Sequence, residues 1–203
     1  MPTPKHRKNL FFAHSGGVTT VVNTIAASVI NAASSVNEID KIYIGKNGIL
    51  GALEADWIEA STLNKEARRL IAQSPGSFSG SCRHKLKDPK EQARLLDVFQ
   101  QHNIGYFLYN GGNDSQDTTH RVSLLAKEKG LDLHCIGIPK TIDNDLPDTD
   151  FCPGFPSAAK YVALSTLEAS IDLASMAKTS TKVFVLEVMG RHAGWIAAAS
   201  GLA

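Results

Sequence analysis

A lysine and two carboxylates crowd into one short stretch, Pro139-Lys140-Thr141-Ile142-Asp143-Asn144-Asp145. Upstream, Gly111-Gly112-Asn113-Asp114-Ser115 joins two glycines to a further carboxylate. A carboxylate can take a proton from a hydroxyl as it attacks phosphorus, while cations and a metal support the transferring group. Glycine turns let backbone N–H groups approach phosphate oxygens, above all where a helix begins. Together these residues suit a metal-bound phosphate compound and the removal of one proton. Taken singly, each stretch also reads as a polar turn, with Asp114 or Ser115 serving as a helix N-cap.

Two more stretches are of the same kind. Ser15-Gly16-Gly17 sits between an apolar run and a helical pattern, and a tight turn explains it equally well. Glu187-Val188-Met189-Gly190-Arg191-His192 offers an arginine to a phosphate oxygen or to developing charge. A surface arginine ahead of a helix is its plainer reading. Neither G-x-x-x-x-G-K-[ST] nor G-x-G-x-x-G occurs, so P-loop and dinucleotide readings lack their fingerprints. The seven histidines show no zinc spacing, and Ser15 lacks a nucleophile-elbow pattern.

The elements that must carry these loops follow from apolar runs. Leu10–Ala13, Lys41–Ile44, Ile104–Tyr109, Leu133–Ile138 and Val183–Leu186 read as strands, the last of them buried. Helical spacing runs through Val21–Ile30, Leu63–Ala72, the segment opened by Asp88-Pro89-Lys90-Glu91, Ser115–Lys129, Ser157–Lys178 and on from Ala193. Asp88, Pro89 and Glu91 suggest a capping box with proline at the first helical position. Ser74–Leu86 is loop and carries Arg83, His84 and Lys85. Strand and helix alternate, so the expected fold is α/β: a doubly wound, mostly parallel sheet with helices on both faces. A first domain over 1–155 and the start of a second, similar one over 156–203 are expected. If Thr141–Asp145 is extended, alternation points Asp143 and Asp145 the same way.

Bulk properties narrow the class. The 203 residues carry a net charge of +1, with 43% hydrophobic and 20% charged residues. That is ordinary for a soluble domain and gives no basic field for nucleic acid or anionic membrane. No apolar run is long enough for a membrane span. The N-terminus, Met1 to Asn9, is basic but is followed by no secretory apolar region. Cys82, Cys135 and Cys152 are widely spaced, which fits reduced thiols in a cytoplasmic setting.

In combination, the four loops resemble the phosphofructokinase family in type and order, from Leu10 to Ala203. T-I-D-N-D with M-G-R is the specific part. Asp114 and Lys140 stand where ATP-using members carry glycines, so the chain is most similar to the diphosphate-dependent branch. An aspartate there would repel the α-phosphate of ATP, and a lysine would hold the compact diphosphate.

The resemblance implies transfer from inorganic diphosphate to the 1-hydroxyl of fructose 6-phosphate, reversibly, as a glycolytic step. It implies Asp143 as general base and Arg191 as stabiliser of the transferring group. Gly17 and Arg83 would bind the donor, with Asp114 and Lys140 selecting it. Thr141, Asp143, Asp145, Lys182, Met189, Gly190 and Arg191 would hold the sugar phosphate. Mg²⁺ is implied, with Asn113 and Asp145 as candidate ligands. Asn113 departs from the family's aspartate, and an amide is the weaker partner for a hard cation. A homo-oligomer is also implied. Family members run well beyond this length, so the chain is expected to be a fragment or truncated product, weakly folded and inactive by itself. The alternatives are an ATP-dependent 6-phosphofructokinase and a non-catalytic family member.

Overall fold

The structure, a computed structural model, describes residues 7–202. The basic N-terminal stretch lies outside the described residues up to residue 6. The chain divides into two compact units, Met1–Pro139 and Lys140–Ala203. The division falls ahead of the irregular segment in which the sequence reading set its boundary.

The first unit is a five-stranded sheet: β1 (Lys8–His14), β2 (Ile39–Gly45), β3 (Trp57–Glu59), β4 (Ile104–Gly111) and β5 (His134–Pro139). Its spatial order is β3-β2-β1-β4-β5. All pairings are parallel except that between β2 and β3. Both β2 and β4 flank β1, so the winding reverses between β1 and β4. In open α/β sheets the ligand crevice lies beyond the carboxyl ends of the strands at that reversal.

Alternation along β1 builds two cores. Leu10 and Phe12 pack with Ala26, Ile30 and Ala33 of α1 (Thr20–Ala33), with Ile42 and Ile44 beside them. Phe11 and Ala13 pack on the other face with residues of α2 (Ile49–Glu54), α4 (Pro89–Gln101) and α5 (Asn113–Glu128). Phe11 and Phe12 are both fully buried, so β1 is covered on both faces, as central parallel strands are. The helix α3 (Lys65–Gln73) packs on α1.

Helix starts differ in a way that matters for the site. In α3, Asn64 Oδ1 accepts from the Ala67 N–H at 2.8 Å. In α4, Asp88 Oδ1 accepts from the Lys90 N–H at 2.9 Å, with Pro89 opening the helix. The capping box does not close, because Glu91 turns instead to His84 Nε2 at 2.9 Å. By contrast α1 and α5, which follow β1 and β4, begin at Thr19 and Gly112 with no side-chain cap.

The second unit holds α6 (Phe155–Met176) and α7 (Trp195–Ser200), which pack together. Val183–Leu186 is not the buried strand expected from its apolar run. It has no regular structure, and Val183 and Val185 are 73% and 84% exposed. A strand needs neighbours for its N–H and C=O groups, and none pairs with this segment among the described residues. Two elements of the first unit, α2 and β3, escaped the sequence reading. Both are too short for a periodic signal.

Candidate functional site

The first unit brings two glycine turns to the reversal of its sheet. Ser15-Gly16-Gly17 leaves β1, and Gly16 takes φ 83°, which lets the chain turn sharply toward α1. Gly111 ends β4. A Cβ there would lie 2.2 Å from Ser115 Oγ, so only glycine lets that hydroxyl pass. Beneath the turns, Ser15 Oγ and Ser115 Oγ are hydrogen-bonded at 2.7 Å. The uncapped first N–H groups of α1 and α5 start beside these glycines, and such groups favour an anion.

The Ser74–Leu86 loop is stitched to the first turn. Gly16 N–H donates to the Cys82 carbonyl at 2.9 Å, and Ser81 Oγ donates to the Gly16 carbonyl at 2.8 Å. Ser77 Oγ meets His14 Nε2 at 2.7 Å, which gives His14 a structural part. From Arg83 to Leu86 the side chains alternate. Arg83 Nη2 lies 3.9 Å from where a Cβ on Gly17 would stand, and Lys85 Nζ pairs with Asp114 Oδ2 at 2.8 Å. Between and after them, His84 meets Glu91, and Leu86 is buried in the core. Two cations therefore lie beside the two turns while their neighbours anchor the loop. Both Lys85 and Asp114 are exposed, so that pair adds little stability.

The second unit brings together Lys140, Thr141, Asp143, Asp145 and Arg191. Thr141–Asp145 forms a turn, not the extended run that alternation assumed. Thr141 Oγ1 accepts from the Asp143 N–H at 3.1 Å. The turn is closed by Asn144, at φ 53°, whose side chain donates to the Asp150 carbonyl at 3.0 Å and accepts from the Cys152 N–H at 2.7 Å. Asp143 is half-buried, and its Oδ1 is enclosed without a hydrogen-bond partner. Burial raises its pKa, the Asp145 carboxylate adds to the rise, and Arg191 and Lys140 pull against it. Lys140 is buried, while Arg191 is exposed in a left-handed turn at φ 43°. Met189 and Lys182 are exposed.

Sequence reasoning did not single out Ser115, Lys85 or Asn144 for these contacts. The Arg83–Leu86 alternation was the one readable signal. Asn144 was hidden because its partners, Asp150 and Cys152, lie beyond any motif window. For magnesium, no group of three or more His, Cys, Asp or Glu side chains could hold an ion among the described residues. Magnesium does not need such a cage, since it keeps waters and leans on one or two carboxylates and on substrate phosphates.

The phosphofructokinase family model matches residues 9–203. A pyrophosphate–fructose 6-phosphate 1-phosphotransferase of Xanthomonas campestris pv. campestris is 57% identical over 96% of this chain and 47% of its own length. One from Halomonas elongata is 56% identical, again over 96% of this chain and 48% of its own length. The crystal structure of a pyrophosphate-dependent phosphofructokinase from Nitrosospira multiformis superposes with a TM-score of 0.90 at 57% identity, covering 96% of this chain and 49% of that one. The chain thus spans about half the length of the relatives it matches. It belongs to the phosphofructokinase family.

Proposed function

We propose that the chain supplies donor-holding turns and the general base for phosphoryl transfer from inorganic diphosphate to the 1-hydroxyl of fructose 6-phosphate. The observation that carries this reading is Asp143: a half-buried carboxylate with one unpartnered oxygen, under the influence of Lys140 and Arg191. Its carboxylate takes the 1-hydroxyl proton as that oxygen attacks phosphorus. The bond from the transferred phosphorus to the bridging oxygen of diphosphate breaks, and orthophosphate leaves. Arg191 meets the charge that develops on the transferring group. The N–H groups at Gly17 and at the start of α5, with Arg83, hold the donor phosphates. Lys140 also serves the donor, and Asp114 repels a longer one. Thr141, Asp145, Lys182, Met189 and Gly190 belong to the sugar-phosphate side.

Magnesium, when bound, would neutralise donor charge, with Asp145 as its carboxylate partner and Asn113 as the weaker amide one. No helix among the described residues is long and apolar enough to cross a membrane. The family resemblance further supports a cytoplasmic homo-oligomer, which sedimentation in the presence of diphosphate tests.

Donor choice tests the reading. The unsubstituted protein should bind diphosphate and exclude ATP, and the pair Asp114→Gly with Lys140→Gly should admit ATP. ATP use by the unsubstituted protein would favour the ATP-dependent alternative. Diphosphate binding with no transfer would favour a non-catalytic member of the family.

A further inference from the structure

We infer that Tyr109, Ser15 and Ser115 form a hydroxyl clasp that fixes the spacing of the two glycine turns, and so matches the first unit to a two-phosphate anion. The inference rests on the donor reading proposed above and names residues that act through the turns. They are positioning residues and need not touch the donor.

Four observations carry it. Ser15 immediately precedes Gly16-Gly17, and Ser115 lies in the first turn of α5, just after Gly111-Gly112. Their hydroxyls meet at 2.7 Å. Burial raises the Tyr109 pKa to about 12, and the neighbouring Ser15 and Ser115 hydroxyls pull against that rise. All three residues are buried, at 8%, 4% and 1% exposure for Ser15, Ser115 and Tyr109. Buried hydroxyls rely on one another, because water is not there to replace a lost partner.

The clasp is tied to the scaffold on every side. The Tyr109 ring stacks on Phe107 at 5.6 Å in the core that α4 and α5 cover. The Ser15 N–H donates to the Asn110 carbonyl at 3.0 Å, just past the end of the β1–β4 pairing. Gly111 is the residue that leaves room, since a Cβ there would lie 2.2 Å from Ser115 Oγ and 3.3 Å from Ser15 Oγ. Serving one phosphate requires one turn. Serving two at the separation set by a bridging oxygen requires both turns at a fixed distance, and the clasp supplies that distance.

The test compares anions that differ only in phosphate count. Titration calorimetry on the full chain would use diphosphate and orthophosphate. Tyr109→Phe should weaken diphosphate about fivefold, the worth of one net hydrogen bond, and leave orthophosphate nearly unchanged. Ser115→Ala should do the same, and the double variant should lose little more, as members of one unit do. Ser115→Thr, which keeps the hydroxyl, should restore the preference. Should Tyr109→Phe not fold, the serine variants decide alone. Affinities that fall in parallel for both anions, or stay unchanged while the melting temperature drops, would reduce the clasp to core packing and leave the donor reading standing. An unsubstituted chain that ignores diphosphate would overturn the donor reading, and the clasp with it.

Discussion

Asp143 carries opposite demands. As a base it must ionise, yet its burial and the nearby Asp145 favour the neutral acid. Its folded pKa lies above the ordinary 3.8, so its contribution to stability is full below that value and lost as pH rises through the folded one. Asp143→Asn should therefore melt higher than the unsubstituted protein at neutral pH, while phosphoryl transfer falls by about 10²–10⁴-fold, the range for loss of a general base. The acid limb of the pH–rate profile should follow the same carboxylate. Asp145→Asn removes a repulsion and should move that limb, and the Asp143 titration seen by carboxyl ¹³C NMR, to lower pH. Arg191→Gln removes an attraction and should move both upward. Unmoved titrations in both variants would separate Asp143 from these neighbours.

At the scale of the element, the loop that bears Asp143 depends on Asn144. A left-handed φ costs an ordinary L-residue about 1–2 kcal/mol, and asparagine tolerates it better than most. Asn144→Ala loses both side-chain bonds and bears the strain, so urea melts should show about 2–4 kcal/mol less stability. Asn144→Gly loses the bonds without the strain and should fall less. Equal losses would mean that the backbone angle carries no cost. How much of this was legible in sequence differs between elements. The β1 and β4 assignments followed from short apolar runs and α5 from a helical pattern, and with them the parallel sheet and the place of both glycine turns. Asp143 and Lys140 stood out as candidates because they crowd into one short stretch. The condition that Thr141–Asp145 be extended is not met, because the Asn144 bonds reach across the chain to Asp150 and Cys152. Glu91 matched a capping box on spacing alone, but a histidine seven residues earlier competes for the same carboxylate. Local pattern reports what a segment prefers, and tertiary partners decide between preferences of similar strength.

Over the whole molecule, the first unit has two buried cores, whereas the second keeps much of its apolar surface in water. Tyr161, Ile171 and Trp195 are 74%, 63% and 56% exposed. The apolar run Val183–Leu186 was read as a strand because its composition is that of one, yet composition cannot supply a neighbouring ladder. Its amides are left to solvent, so hydrogen exchange measured by mass spectrometry should label residues 183–186 within the shortest times. The β1 and β4 amides should be labelled last, with opening energies approaching that of global unfolding. Slow exchange at 183–186 would mean that the segment is paired in solution.

The central place of β1 has a consequence for the order in which the chain can assemble. One of its edges pairs with β2, which follows soon after, but the other must wait for β4, where Asn9 lies opposite Ile104. Closing so long a loop costs entropy before any contact repays it, and pairings of this kind slow folding. A nascent chain therefore carries Phe11 and Phe12 half-covered until residue 111 has left the ribosome. The same strand that later centres the sheet is, during synthesis, left with an unpaired edge open to aggregation.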